Sequence, residues 1–158
     1  MNTPQQIAKH IRDLHFGVNF TWSNIKDNLS DLSFEEATTE INGLNTIAKL
    51  AYHINYYVKA NIKVVEKGVL DASDKLSFNH PIFKSQNDWD LFVEQILKDG
   101  NRFANLVEQL PEEKMSQIFI DEKYQDYFRN FVGVVEHAHY HLGQIAIIKK
   151  MLRSEMNK

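Results

Sequence analysis

The sequence predicts an all-α domain, a bundle of four helices with long connections, and three observations carry that reading. Apolar residues recur at three- and four-residue spacing over four long segments. Helix-starting residues stand at the heads of those segments, with glycine or proline at the ends of two. No internal repeat suggests a solenoid, and two long connections between the helices suit a bundle.

The first helix opens at Pro4, a residue suited to a first turn, and its stripe of Ile7, Ile11, Leu14, Val18, Trp22 and Ile25 runs to about Leu29. Ser33 with Glu36 three residues later is a capping box. It predicts a second helix reaching about Gly68, interrupted only at Gly43. The stretch "GVLDASDKLSFNHPIFKSQ" is a polar connection, with His80-Pro81 favouring an extended step. Ser85 or Asn87 caps a third helix carrying Trp89, Phe92, Val93, Ile96, Phe103, Leu106 and Val107, with Gly100 as a weak point and Pro111 as its end. Met115 to Ile120 reads as a short extended piece or an irregular link, and the fourth helix spans about Tyr127 to Arg153.

Composition narrows the function. The 158 residues suffice for one domain, 1–158, and are 43% hydrophobic and 25% charged with only three prolines and six glycines. A net charge of −3 and a pI near 6.1 offer no long-range attraction for nucleic acid or an anionic membrane. The densest basic cluster, Lys149, Lys150 and Arg153, falls at a helix tail, where it complements the helix dipole. There is no signal-peptide pattern and no run of 18 apolar residues, so the expected location is the cytoplasm. The chain has no cysteine, which removes disulfides, thiolate nucleophiles and sulfur-ligated metals together.

Three of the seven histidines lie in "VEHAHYHLGQI" at every second position: His137, His139 and His141. A helix turns about 100° per residue, so with His137 at zero, His141 lies near 40° and His139 near 200°. His137 and His141 therefore share the face that also carries Val134, Gln144, Ile145 and Ile148, while His139 points elsewhere. An i,i+4 pair sets the Cβ atoms about 5–6 Å apart, a bite one metal ion can close. Two imidazoles alone hold a metal weakly, and His53 in "LAYHINYYVKA" is the strongest third candidate. It shares an apolar helix face with Leu50, Tyr57, Ala60 and Val64, whereas His10 and His15 lie on different faces of the first helix and His80 in a loop.

Three neutral nitrogens leave coordination positions open, the pattern of a catalytic rather than a structural zinc site, and nitrogen ligation also suits nickel, copper or ferrous iron. A hydrogen-bonded core cluster of histidines is the competing account. Gln144 is placed either to hold a ligand histidine in its tautomer or to satisfy a backbone carbonyl. The one Glu-x-x-His, Glu136 with His139, lacks the second copy that a di-iron bundle needs. Of the aromatics, Tyr57 alone is placed beside the pocket; Trp22, Tyr56, Tyr124, Tyr127 and Tyr140 read as core or interface, and "DEKYQDYFRN" as a solvated connection or the mouth of the site.

The motif His137, His141, Leu142, Gly143, Gln144 resembles the last-helix signature of the DinB/YfiT-like superfamily, and "YHINYYV" around His53 resembles its second-helix ligand segment. "HFGVNFTWSNIKDNL", "GLNTIAKLAYHINYY" and "DEKYQDYFRNFVGVVEH" extend the resemblance, to an uncharacterised bacterial subgroup, over nearly the whole chain. Two departures stand out: Gly133 where many members have a further histidine, and Leu142 where many have arginine. The resemblance implies a four-helix bundle holding one divalent metal ion (zinc, nickel or iron) at His53, His137 and His141. It implies a homodimer, and a metal-dependent S-transferase activating a low-molecular-weight thiol toward a small-molecule substrate. Metal-dependent hydrolysis and a non-catalytic, metal-stabilised bundle are the alternatives; neither nucleic acid nor membrane is an expected partner.

Overall fold

The computed structural model describes residues 1–156, and these form an all-α fold. Its helices are α1 (Thr3–Phe16), α2 (Ile25–Leu29), α3 (Phe34–Thr38), α4 (Ile47–Lys67), α5 (Gln86–Glu108) and α6 (Tyr127–Met156). The four longer ones contact each other in a ring: α1 lies on α5 and α6, and α4 lies on the same two. Among the described residues no strand forms, and the ambiguous segment after Pro111 contributes only an isolated bridge between Ile118 and Asp126. No helix among the described residues is long and apolar enough to cross a membrane.

Capping decides where the helices start. Asn2, Asn24, Ser33, Thr46 and Ser85 each accept a hydrogen bond from a first-turn backbone N–H, a contribution of about 1 kcal/mol apiece. Gly68 ends α4 in the left-handed conformation, φ 65°, which costs glycine little. Ser85, of the two candidates, caps α5.

Two predicted helices are shorter than their apolar spacing suggests. The first stops at Phe16, because Asn19 donates to the carbonyls of Asp13 and Ser23 and closes a turn, after which Asn24 caps α2. Val18 and Trp22, assigned by periodicity to the inward stripe, stand 69% and 84% exposed in that loop. Likewise the Ser33–Glu36 box opens only the five-residue α3, and Thr46 restarts the chain as α4. Short polar side chains competing for local backbone groups override the 3.6-residue pattern in both places.

The basic tail of α6 does more than face a dipole. Lys149 donates to the carbonyls of Asp27 and Asn28 and pairs with Asp31, while Arg153 pairs with Asp31 and Glu36. These contacts tie the end of α6 to α2 and α3.

The apolar core is split into two clusters along the helices. One gathers Leu50, Ile54, Trp89, Ile96, Leu142 and Ile145, and the other Ile7, Ile11, Val58, Phe103, Tyr127 and Phe131. On α4, α5 and α6 the residues between them include Asn55, Asp99 and His137. His15 of α1 is fully buried near this level, its Nδ1–H donating to the Ile11 carbonyl at 2.7 Å. Burial pushes the imidazole down to about 4, the proximity of His139 adds to this, and the Ile11 hydrogen bond and Asp99 oppose it.

That shift has a sign that can be tested. An unfolded chain protonates His15 near its ordinary 6.5, whereas the folded chain resists until about 4. The contribution to stability is therefore full above pH 6.5 and lost on acidification toward pH 4, by up to about 3 kcal/mol. Urea unfolding of chelator-treated protein at pH 7 and pH 5 should show a loss about 2 kcal/mol larger for wild type than for His15→Asn. Equal losses in the two proteins would exclude His15 as the acid-sensitive group.

Candidate metal centre

The side-by-side packing of α4 and α6 brings together the pair singled out by spacing, His137 and His141, and the third candidate, His53. His53 lies midway along α4, with His137 and His141 one turn apart on α6. The Nε2 atoms of His53 and His137 are 3.0 Å apart, and those of His141 and His137 are 3.1 Å apart. Among the described residues these three are the one cluster of potential ligands whose donor atoms lie within 4.8 Å of one another. His139 turns away and bonds to the Val135 carbonyl. Glu136 is exposed and paired with Arg129, which leaves the di-iron pattern without a carboxylate at the site.

Two of the tautomers follow from the partners on the far side of the rings. Ser77 has a single hydroxyl hydrogen, which it donates to the Asp74 carbonyl at 2.8 Å. It can then only accept from His53, so His53 carries its proton on Nδ1, 2.9 Å from Ser77 Oγ, and its Nε2 is a bare lone pair. On the other side His141 Nδ1 faces Gln144 Oε1 at 2.7 Å, an atom that accepts only, so its Nε2 is bare as well. Both lone pairs point at His137 Nε2. One N–H there could satisfy one of them, and the other lone pair would remain without a donor. A cation satisfies all three.

The spacing agrees with that chemistry. Two nitrogens each about 2.0–2.1 Å from one ion lie about 2.8–3.4 Å apart at angles between square and tetrahedral. The protonation states agree too, since ligation requires neutral imidazole. Burial, followed by the neighbouring His141 and His53, pushes His137 down to about 4. His53 is lowered by burial first and by His141 second.

The support for His53 comes from the connection between α4 and α5. Tyr56 accepts from the Ser73 backbone N–H at 2.7 Å, and the Tyr57 hydroxyl donates to the Asp74 carboxylate. These bonds fold the connection back over α4, bury Ser77, and stack Phe78 on the His53 ring with centroids 4.0 Å apart. Tyr57 meets both His53 and His137 edge-on, at 5.2 and 5.1 Å between centroids. Burial first, then the bond to Asp74, pushes its hydroxyl up to about 12, so it stays protonated at neutral pH.

His137 is the half-buried member of the three, and it lines a cleft of about 630 Å³ between α4, α6 and the segment before α6. Tyr57, Asp74, Lys123, Tyr124 and Arg129 also line it. The polar "DEKYQDYFRN" stretch is thus the mouth of the site rather than a plain solvated link. Tyr124, read as core or interface, belongs to that mouth, and Tyr140 is 66% exposed. Ser77 and Asp74 carry no local signal, because nothing in a polar connection marks which serine will return to a residue 24 positions earlier. Compared with known proteins, the chain matches no family model, no curated protein and no solved structure.

Proposed function

We propose that this protein is a four-helix bundle of the DinB/YfiT-like type that binds one divalent metal ion through His53, His137 and His141, and that it uses the ion to activate a thiol or water toward a small electrophile. The observation that carries this reading is the convergence of three imidazole Nε2 atoms, two with their lone pairs turned inward by Ser77 and Gln144. The ring of contacts among α1, α4, α5 and α6 supports the bundle. The motif resemblance around His53 and His137–Gln144 supports the family.

An ion held there supplies Lewis acidity, which favours the deprotonated form of a thiol or water at neutral pH. The protein's own groups do the rest. Ser77 and Gln144 fix the ring orientations of His53 and His141. Phe78 covers the His53 face and keeps water from it. Tyr57, protonated and anchored on Asp74, stands beside His137 as a neutral wall rather than as a base. Asp74 is the one carboxylate among the residues that line the cleft.

The cleft favours the enzyme over the purely stabilising role, because a metal that only held the bundle together would need no opening of this size beside one of its ligands. The test is metal content by mass spectrometry on untagged protein purified without chelators, followed by thermal unfolding of the loaded protein with small thiols. About one zinc, nickel or iron per chain, together with stabilisation by thiols, is expected. Wild-type protein that stays metal-free and takes up no divalent ion would end the metal reading and leave a hydrogen-bonded histidine cluster.

A further inference from the structure

The cleft beside His137 has a direction. Arg129, Gly133 and His137 follow one another at four-residue intervals on α6, so they lie along one side of the helix over about 12 Å. All three line the cleft. Gly133 is the floor between the two ends: a Cβ built there meets nothing nearer than Arg129 Nη1 at 3.2 Å. The glycine thus leaves open a track from the histidines to Arg129 that almost any other side chain would obstruct.

The far end of this track is cationic. Lys123 lies over the Tyr124 ring, 4.8 Å from its centroid, and among the described residues it forms no ion pair. Arg129 holds only the exposed Glu136, at 3.2 Å, and keeps most of its five donors free. Asp74, the carboxylate of the cleft, is engaged with the Tyr57 hydroxyl.

We propose that the cleft takes a small molecule with an anionic group, carboxylate or phosphate, which Arg129 and Lys123 hold at the end away from His137. This deepens the metal-and-thiol reading and rests on it only for the group placed at the histidines. The occupant is therefore polar and charged, which separates it from apolar electrophiles and from neutral thiols.

Isothermal titration of the zinc-loaded full chain with mercaptosuccinate and with the neutral 1-thioglycerol tests it. Mercaptosuccinate should bind about tenfold tighter, the size of effect one or two partly exposed charge-assisted contacts give. The Lys123→Gln/Arg129→Gln double variant should lose that preference while its zinc content and its affinity for 1-thioglycerol stay unchanged. Glu136→Gln, which frees Arg129, should keep or raise the preference. Gly133→Leu should abolish mercaptosuccinate binding with zinc retained.

Succinate and glycerol 3-phosphate, offered to metal-free protein, separate this inference from the thiol reading. Stabilisation by either that depends on Arg129 upholds the anion end even if no thiol binds, and shows which anion fits. Equal binding of charged and neutral thiols, or a Gly133→Leu variant that binds as wild type does, would overturn the proposal.

Discussion

In His53→Ala and His141→Ala, bound metal is expected to fall from about one ion per chain to near zero, whereas Ser77→Ala and Gln144→Ala should retain it with affinity reduced about 10–100-fold. The grading follows from what each side chain touches. His53 and His141 each present a bare Nε2 to the centre, and losing either leaves two imidazoles and solvent. Ser77 and Gln144 touch only the Nδ1–H on the opposite edges of those rings. Removing them frees the ring to rotate and to shift its proton onto Nε2, which competes with the metal, but leaves the nitrogen in place. Competition with a chromophoric chelator gives the affinities, and circular dichroism with urea midpoints separates loss of the site from loss of the fold. His53→Ala that keeps its full metal content would refute the assignment.

The lesson about legibility lies in the same residues. The histidines were visible because a metal site would demand convergence, and convergence on a helix demands a spacing of four. His137 and His141 satisfy it and His139 does not, and both statements hold in three dimensions. His53 was reachable by its apolar helix face alone. The groups that hold these histidines divide differently. Gln144 lies three residues from His141 on the same helix, so spacing offered it as a partner, and it is one. Ser77 lies 24 residues from His53, in a segment whose path depends on two tyrosine hydroxyls catching a loop, and no local rule encodes that.

The same division runs through the fold. The caps at Ser33 and Ser85, the stop at Gly68 and the long α6 are local chemistry, and they read directly from the chain. The break after Phe16 is local chemistry as well, carried by Asn19 and Asn24, but a hydrophobic period continuing across it hid it. The break after α3 spans Gly43, the interruption the chain does mark, and Thr46 restarts the helix beyond it. Where periodicity and side-chain capping disagreed in this protein, capping won. The residues released, Val18 and Trp22, then became surface rather than core.

Gly100→Ala should destabilise the protein by about 2 kcal/mol, lowering the melting temperature by roughly 4–8 °C, although the same change within a helix ordinarily stabilises by about 1 kcal/mol. Glycine at this position looked like a weak point in the third helix, yet α5 runs through it without a break. The reason is contact, not conformation. A Cβ on Gly100 would lie 2.2 Å from His15 Cδ2 and 2.4 Å from its Nε2. The ring cannot yield, since it is fully buried and its Nδ1 is held by the Ile11 carbonyl. α1 and α5, which share the most extensive helix–helix contact in the fold, would have to separate. Gly143→Ala is the control: it is a mid-helix glycine of α6 with nothing within 4 Å of its Cβ, and it should stabilise by up to about 1 kcal/mol. Adding His15→Ala to Gly100→Ala removes the clash, so the double variant should be less destabilised than the sum of the two singles by about 1–2 kcal/mol. Additive losses, or a Gly100→Ala variant as stable as Gly143→Ala, would mean that the helices have slack there and that the close approach of His15 to α5 does not constrain the fold.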